Sequence, residues 1–199
     1  MIPIGTDTLR QIVRTKGDRV DRVIEEIGPV LGETLAAHGI DTPLRVAHFL
    51  AQLCYESGGF QFLEEPASGD EYAGRRDLGN TGPGDGQRYK GRGFIQITGR
   101  SNYTAYSEML GLDLLNNPRL AAEPRIALRI ACVFWERHRL NDAADRDDIL
   151  VITRRINGGL NGLEDRKAYL ARSKAALSLN KLAPGAPEAP KPAPSAPTT

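Results

Sequence analysis

Little in this chain of 199 residues points toward a metal, a nucleic acid or a membrane. Its three histidines, His38, His48 and His138, lie in separate segments without paired-ligand spacing, so no metal site is expected. The two cysteines, Cys54 and Cys132, fall inside apolar helical patterns and read as reduced core thiols rather than a disulfide. A net charge of +1 leaves no electrostatic footprint for a nucleic acid. No stretch approaches the roughly 18 apolar residues of a membrane span, so stable membrane insertion is not expected. The opening MIPIGTDTLRQIV has neither a basic leader nor a continuous apolar run, and no signal peptide is visible in it. The glycine run at 82–86, GPGDG, lacks the Lys-Ser/Thr of a nucleotide loop, and no cofactor is expected. No serine or cysteine sits in a recognisable nucleophile motif.

What remains is an ordinary globular composition, 40% hydrophobic and 26% charged. One domain is expected over 1–181, followed by a Pro/Ala-rich tail over 182–199 that lacks the apolar bulk to pack. Helical periodicity runs from Thr6, again from Asp18 to His38 with Pro29 as a predicted break, and from Thr42-Pro43 onward. It returns after Gly99, over Ala121–Arg139, after Asp147 as the expected cap, and over Glu164–Leu179. Between Gly58 and Gly93 lie ten glycines, and the expectation there is turns, short strands and a long irregular loop.

The chain is organised around LAQLCYESGGFQFLEE, residues 50–65. The helix leading to Glu56 is apolar over most of its circumference, which places it inside the domain. Glu56 stands at its C-terminal end, before Gly58 and Gly59. Alone, such a residue is also what a fraying helix end carries. Burial and the helix dipole both disfavour a charged carboxylate there, which suits a proton donor. Nine residues further on is Glu65. If GFQFLEE is extended, Glu64 and Glu65 face opposite ways, and the residues alone do not choose between them. RGFIQIT, from Arg92 to Thr98, is a second expected strand, with Gln96 and Thr98 on one polar face. His48 is expected to be a satisfied, partly buried histidine.

YESGGF, YKGRGFIQITGRSNY and RRINGGLNGLEDR together resemble the family 19 glycoside hydrolases, and within them the phage and bacterial endolysin-type members. The resemblance runs from about Leu44 to Tyr169. It implies a mainly helical α+β, lysozyme-like fold with a small β-hairpin lobe lining a glycan groove. It also implies Glu56 as general acid, Glu65 as second carboxylate and Thr98 as holder of the attacking water. Gln96, Asn102, Tyr103 and Asn157 fall with the substrate-binding positions, and Arg166 matches a nearby arginine. Ala73 stands where relatives often carry an acid, which marks it as a possible altered catalytic position.

The function so implied is hydrolysis of β-1,4 bonds in peptidoglycan by an inverting, two-carboxylate mechanism, with chitin as the alternative substrate. A non-catalytic glycan-binding module is the reading from another class, and Ala73 is the feature behind it. The expected partner is a polysaccharide strand, met by a monomer. The chain is expected to be made in the cytoplasm and to act on the cell wall after release or secretion.

Overall fold

A computed structural model describes residues 2–179; the expected 182–199 tail lies outside them. The chain opens with α1 (Thr6–Ile12), α2 (Asp18–Ile27) and α3 (Leu31–Ala37). Pro29 sits in a 3-10 turn, Gly28–Val30, that separates α2 from α3. The split expected at that proline is there, because its ring nitrogen has no hydrogen to continue the ladder. Next come α4 (Pro43–Glu56), the short α5 (Asp85–Arg88) and α6 (Arg100–Leu110). A second 3-10 turn, Pro118–Ala122, leads into α7 (Pro124–Arg137). The described chain is completed by α8 (Leu140–Ala144), α9 (Ile149–Asn157) and α10 (Leu163–Ala176).

α4 is the hub. The Thr42 hydroxyl accepts the Arg45 N–H at 3.2 Å, with Pro43 in the first turn, so the helix starts where its sequence says it should. Every residue from Val46 to Cys54 is buried. α10 packs along α4 more extensively than any other helix pair, and α1 packs on α10. From the other side α7 delivers Trp135, whose ring meets Phe49 edge to face at 5.4 Å. Cys54 and Cys132 are both buried free thiols. A second apolar cluster joins Tyr89, Ile97, Tyr103, Tyr106, Leu114 and Ile130, and it supports the segment around 89–98.

Two expectations change. Asp148, not Asp147, caps α9 by accepting the Val151 N–H at 3.0 Å. Asp147 adopts a left-handed backbone and binds Nε2 of the buried His48 at 2.7 Å, so His48 belongs to that contact and not to the Glu56 end of its helix. The expected hairpin strands are likewise absent among the described residues, which show only isolated bridges, Glu64 to Arg92 and Arg92 to Ile97. Left-handed residues at Gly93 and Gln96 fold the second segment into a turn, and this buries Phe94 against Phe60 with ring centres 5.0 Å apart. Burial of two phenylalanines outweighs the alternation of a short strand.

The expected loop over 69–88 is well tied. Asp85 is buried and accepts the N–H groups of Thr81 and Gly82 at 3.1 and 2.8 Å. It also accepts both arms of Arg100, at 2.9 and 2.6 Å. The Arg100 guanidinium holds the Asp85 carboxyl below its ordinary 3.8, against the upward push of burial. A depressed folded-state value means that this stabilisation is present above 3.8 and is lost as pH falls through the lower folded value. Asp85→Asn should therefore cost about 1–3 kcal/mol near neutral pH. In thermal melts the gap to wild type should close as the pH is taken down through the acid range; a gap that stays constant would exclude the carboxylate as its source.

Candidate active site

Glu56 ends α4 because the backbone turns left-handed at Gly58, Gly59 and Phe60 in succession. Ser57 closes the helix with its hydroxyl, donating to the Leu53 carbonyl at 2.6 Å and accepting the Phe60 N–H at 3.0 Å. Glu56 is not the isolated buried acid its helix suggested. Its Oε1 accepts from Nη2 of Arg166 at 2.5 Å. Arg166, on α10, is completely buried, and its other arm donates to the side chain of Gln52, one helical turn before Glu56. Its Nε donates to the Asn161 carbonyl at 3.2 Å, and the guanidinium lies 4.0 Å from the centre of the Tyr55 ring. Gly162 permits this arrangement. A Cβ there would fall 1.8 Å from the Tyr55 hydroxyl, and its φ of +67° is strained for other residues.

Glu65 is held differently. Its backbone N–H donates to the Gly91 carbonyl at 3.1 Å, and its Oε1 accepts the Gly91 N–H at 3.0 Å. Its Oε2 accepts from the Tyr72 phenol at 3.0 Å. Burial, aided by that bond to Glu65, raises the Tyr72 phenol above its ordinary value and keeps it a donor. A Cβ on Gly91 would lie 2.8 Å from Gln96 Oε1 and 3.2 Å from Glu65 Oε2, so the missing side chain lets amide and carboxylate close on one stretch of backbone. Glu64 takes a separate path to Lys90 and Arg92, 3.2 Å from each. Partial burial pushes its carboxyl up, but the two cations outweigh it and hold Glu64 below the usual range. Of the two neighbours, Glu65 is the one joined to Tyr72 and the Gly91–Gln96 turn.

The other expected site residues divide. Gln96 is on the turn, donating to the Gly93 carbonyl at 2.7 Å, but it does not share a strand face with Thr98. The Thr98 hydroxyl donates to the Gln96 carbonyl at 3.0 Å, and Asn102 donates to the Thr98 carbonyl at 2.8 Å, which links three expected residues in series. Asn157 is exposed at the end of α9. Tyr103 is corrected from a sugar contact to a structural residue. It is fully buried, accepts from Arg92 at 3.0 Å, donates to the Lys90 carbonyl at 2.8 Å, and burial pushes its phenol up to about 12. Arg166, also without exposed surface, positions Glu56. Ala73 is exposed directly after Tyr72, closing a short 3-10 turn, Asp70–Tyr72.

Two participants were missed. Gln52 had a signal, since an amide four residues before Glu56 is a polar interruption on the same face of an apolar helix. Tyr72 had none, because its reach to Glu65 depends on the path of the intervening loop.

One carboxylate thus ends a buried helix and a second is held on a glycine-rich turn of a mainly helical domain, and glycoside hydrolysis uses two such groups. Residues 25–154 match the model of the chitinase class I family, and the chain belongs to these family 19 glycoside hydrolases. A glycosyl hydrolase family 19 domain-containing protein of Haemophilus influenzae is 32% identical over 165 residues, covering 67% of this chain and 80% of that protein. An endochitinase of Arabidopsis thaliana is 38% identical over 129 residues; these are 64% of this chain and 44% of the endochitinase, so the chain spans under half of that relative. Chitinase C of Streptomyces griseus superposes with a TM-score of 0.68 at 21% identity, over 89% of this chain and 77% of that one. A class IV chitinase of Zea mays gives 0.64 at 20% identity, over 89% and 93%. At these identities the two structures bear on the fold, which is lysozyme-like.

Removing the buried cation should uncouple α4 from α10. Arg166→Met leaves Glu56 and Gln52 facing an apolar side chain, and should cost about 2–4 kcal/mol, below the full value for a buried pair because Glu56 keeps some exposure. Urea unfolding measures this, and a change under about 0.5 kcal/mol would show that the pair does not hold the helices together.

Proposed function

We propose that this glycoside hydrolase cleaves β-1,4 bonds of peptidoglycan with inversion, Glu56 acting as acid and Glu65 as base. What carries the reading is the separate anchoring of the two carboxylates, one on Arg166 and the other on Tyr72 and the Gly91 N–H. Glu56 gives its proton to the glycosidic oxygen as the bond to the anomeric carbon breaks. Glu65 takes a proton from a water whose oxygen forms the new bond to that carbon. The Thr98 hydroxyl spends its hydrogen on the Gln96 carbonyl, which leaves its lone pairs to accept a hydrogen from that water. Gln96, Asn102 and Asn157 supply the polar groups for sugar hydroxyls and acetamido groups.

Peptidoglycan is favoured over crystalline chitin because the described surface offers few platforms for stacking on a rigid polymer. Among its exposed large hydrophobic residues, Phe62, Met109, Leu150 and Leu160, just one is aromatic. Chitin is the second reading, favoured by the endochitinases among the relatives. The enzyme works as a monomer on the wall, reached after release or secretion.

Glu56→Gln should lower turnover by about 10²–10⁴-fold; it also takes the carboxylate from the buried Arg166, so the melting temperature should fall and turnover is read on the folded fraction. Retention of more than about a tenth of the wild-type rate would place the acid elsewhere. Reducing-end analysis on purified cell wall and on chitin oligomers names the substrate, and proton NMR of fresh products should show the α-anomer. A β-anomer first would require a covalent, retaining route and would remove Glu65 from water activation.

A further inference from the structure

Between α2, the Pro118–Ala122 turn and the Leu63–Glu64 segment lies a pocket of about 450 Å³. Its floor is apolar, made by Val23, Leu63, Ala122 and Pro124. Its rim carries three arginines, Arg19, Arg22 and Arg119, and two acids, Glu64 and Glu123. Part of that charge is already matched. Arg22 donates to Glu26 at 2.8 Å, and Glu64 is taken by Lys90 and Arg92.

Arg19 and Arg119 are not among the arginines held by a carboxylate. Arg10, Arg45, Arg75, Arg100 and Arg139 each reach a carboxylate within 3.2 Å. Among the described residues Arg19 makes only a 3.4 Å contact to the Gln61 carbonyl, and Arg119 has no carboxylate within ion-pair distance. Two cations from separate elements thus face one apolar hollow, neither with a carboxylate within ion-pair distance, while Glu64 and Glu123 line the same pocket. Glu123 stands at the N-terminal cap of α7, where the helix dipole favours its charge.

We propose that this pocket binds a short peptide bearing two carboxylates and one amine, the chemistry of a peptidoglycan stem; this rests on the wall-glycan reading above. Arg19 and Arg119 offer planar forks for the carboxylates. Alanine methyl groups rest on Val23 and Pro124, and Glu123 accepts from the amine. Leu63 and Glu64, which line the pocket, directly precede Glu65 in the chain. An extended peptide covers about 3.3–3.6 Å per residue, so three residues span about 10 Å from the sugar that carries them. Chitin carries no carboxylate, and the pocket has nothing to offer it.

The test is a titration of a synthetic Ala–γ-Glu–diaminopimelate tripeptide into the full chain, followed by amide chemical shifts. The wild type should show saturable shifts at Val23, Leu63 and Glu123, and Arg19→Ala/Arg119→Ala should bind about tenfold or more weakly. Both arginines are exposed, so the fold should be unaffected. The same double variant should lose about tenfold in kcat/KM on glycan strands carrying stem peptides and nothing on strands stripped by an amidase. Absence of saturable shifts in the wild type overturns the proposal, and so does an equal loss, or no loss, on both strands. Should the wild type cut chitin oligomers and neither wall substrate, the wall-glycan reading fails, and the titration alone then decides the pocket.

Discussion

A single buried guanidinium holds the C-terminal end of α4 against α10. Arg166 has no exposed surface, and a charge so placed is tolerable only when every arm finds a partner. Gln52, Glu56 and the Asn161 carbonyl are those partners, and the Tyr55 ring covers its face. α4 and α10 are thereby set in register at the point where the chemistry is proposed. The close approach of Tyr55 to Gly162 follows from the same demand, since any side chain there would push the ring off the cation.

The second carboxylate depends on a longer and more local chain of contacts. Asp85 fixes Arg100, the Arg100 N–H donates to Asn80 at 2.8 Å, and Asn80 donates to the Tyr72 carbonyl at 2.9 Å. Tyr72 then reaches Glu65. Apart from Arg100, which opens α6, these residues lie in loops and short helical turns, so the geometry of Glu65 rests on hydrogen bonds between them, whereas that of Glu56 rests on the core. The two carboxylates therefore differ in support: the Glu56 end is fixed by buried packing, and the Glu65 end by hydrogen bonds that can yield one at a time.

Much of this was legible in the residues. Apolar spacing located the helices, Pro29 marked the break after α2, and the glycines after Glu56 marked the end of α4. Glu56 alone could have been a fraying helix end, and the apolar helix before it and the glycines after it are what marked it. The turn at 92–97 was not legible. Alternation of Ile95, Gln96, Ile97 and Thr98 pointed to a strand, but Phe94 gains more by burying against Phe60 than a short edge strand returns. The resemblance set Tyr103 among the substrate-binding positions with Asn102. Helical geometry sends neighbouring side chains in different directions, and Tyr103 went inward to hold Lys90 and Arg92. The cap shift from Asp147 to Asp148 has a similar origin, since the buried His48 on α4 claims Asp147.

The bond between Glu56 and Arg166 spans 110 positions of the chain. Synthesis runs from the N-terminus at about 5–20 residues per second, so Glu56 waits roughly 5–20 s on the ribosome before its cation exists. Through that interval α4 can collapse against the earlier helices, but its buried Gln52 and terminal carboxylate lack their partner. Glu56 and Gln52 therefore gain their buried partner only once α10 has been made and docks. This glycoside hydrolase in this way lacks one buried contact of its α4 end until nearly all of its described chain has been made.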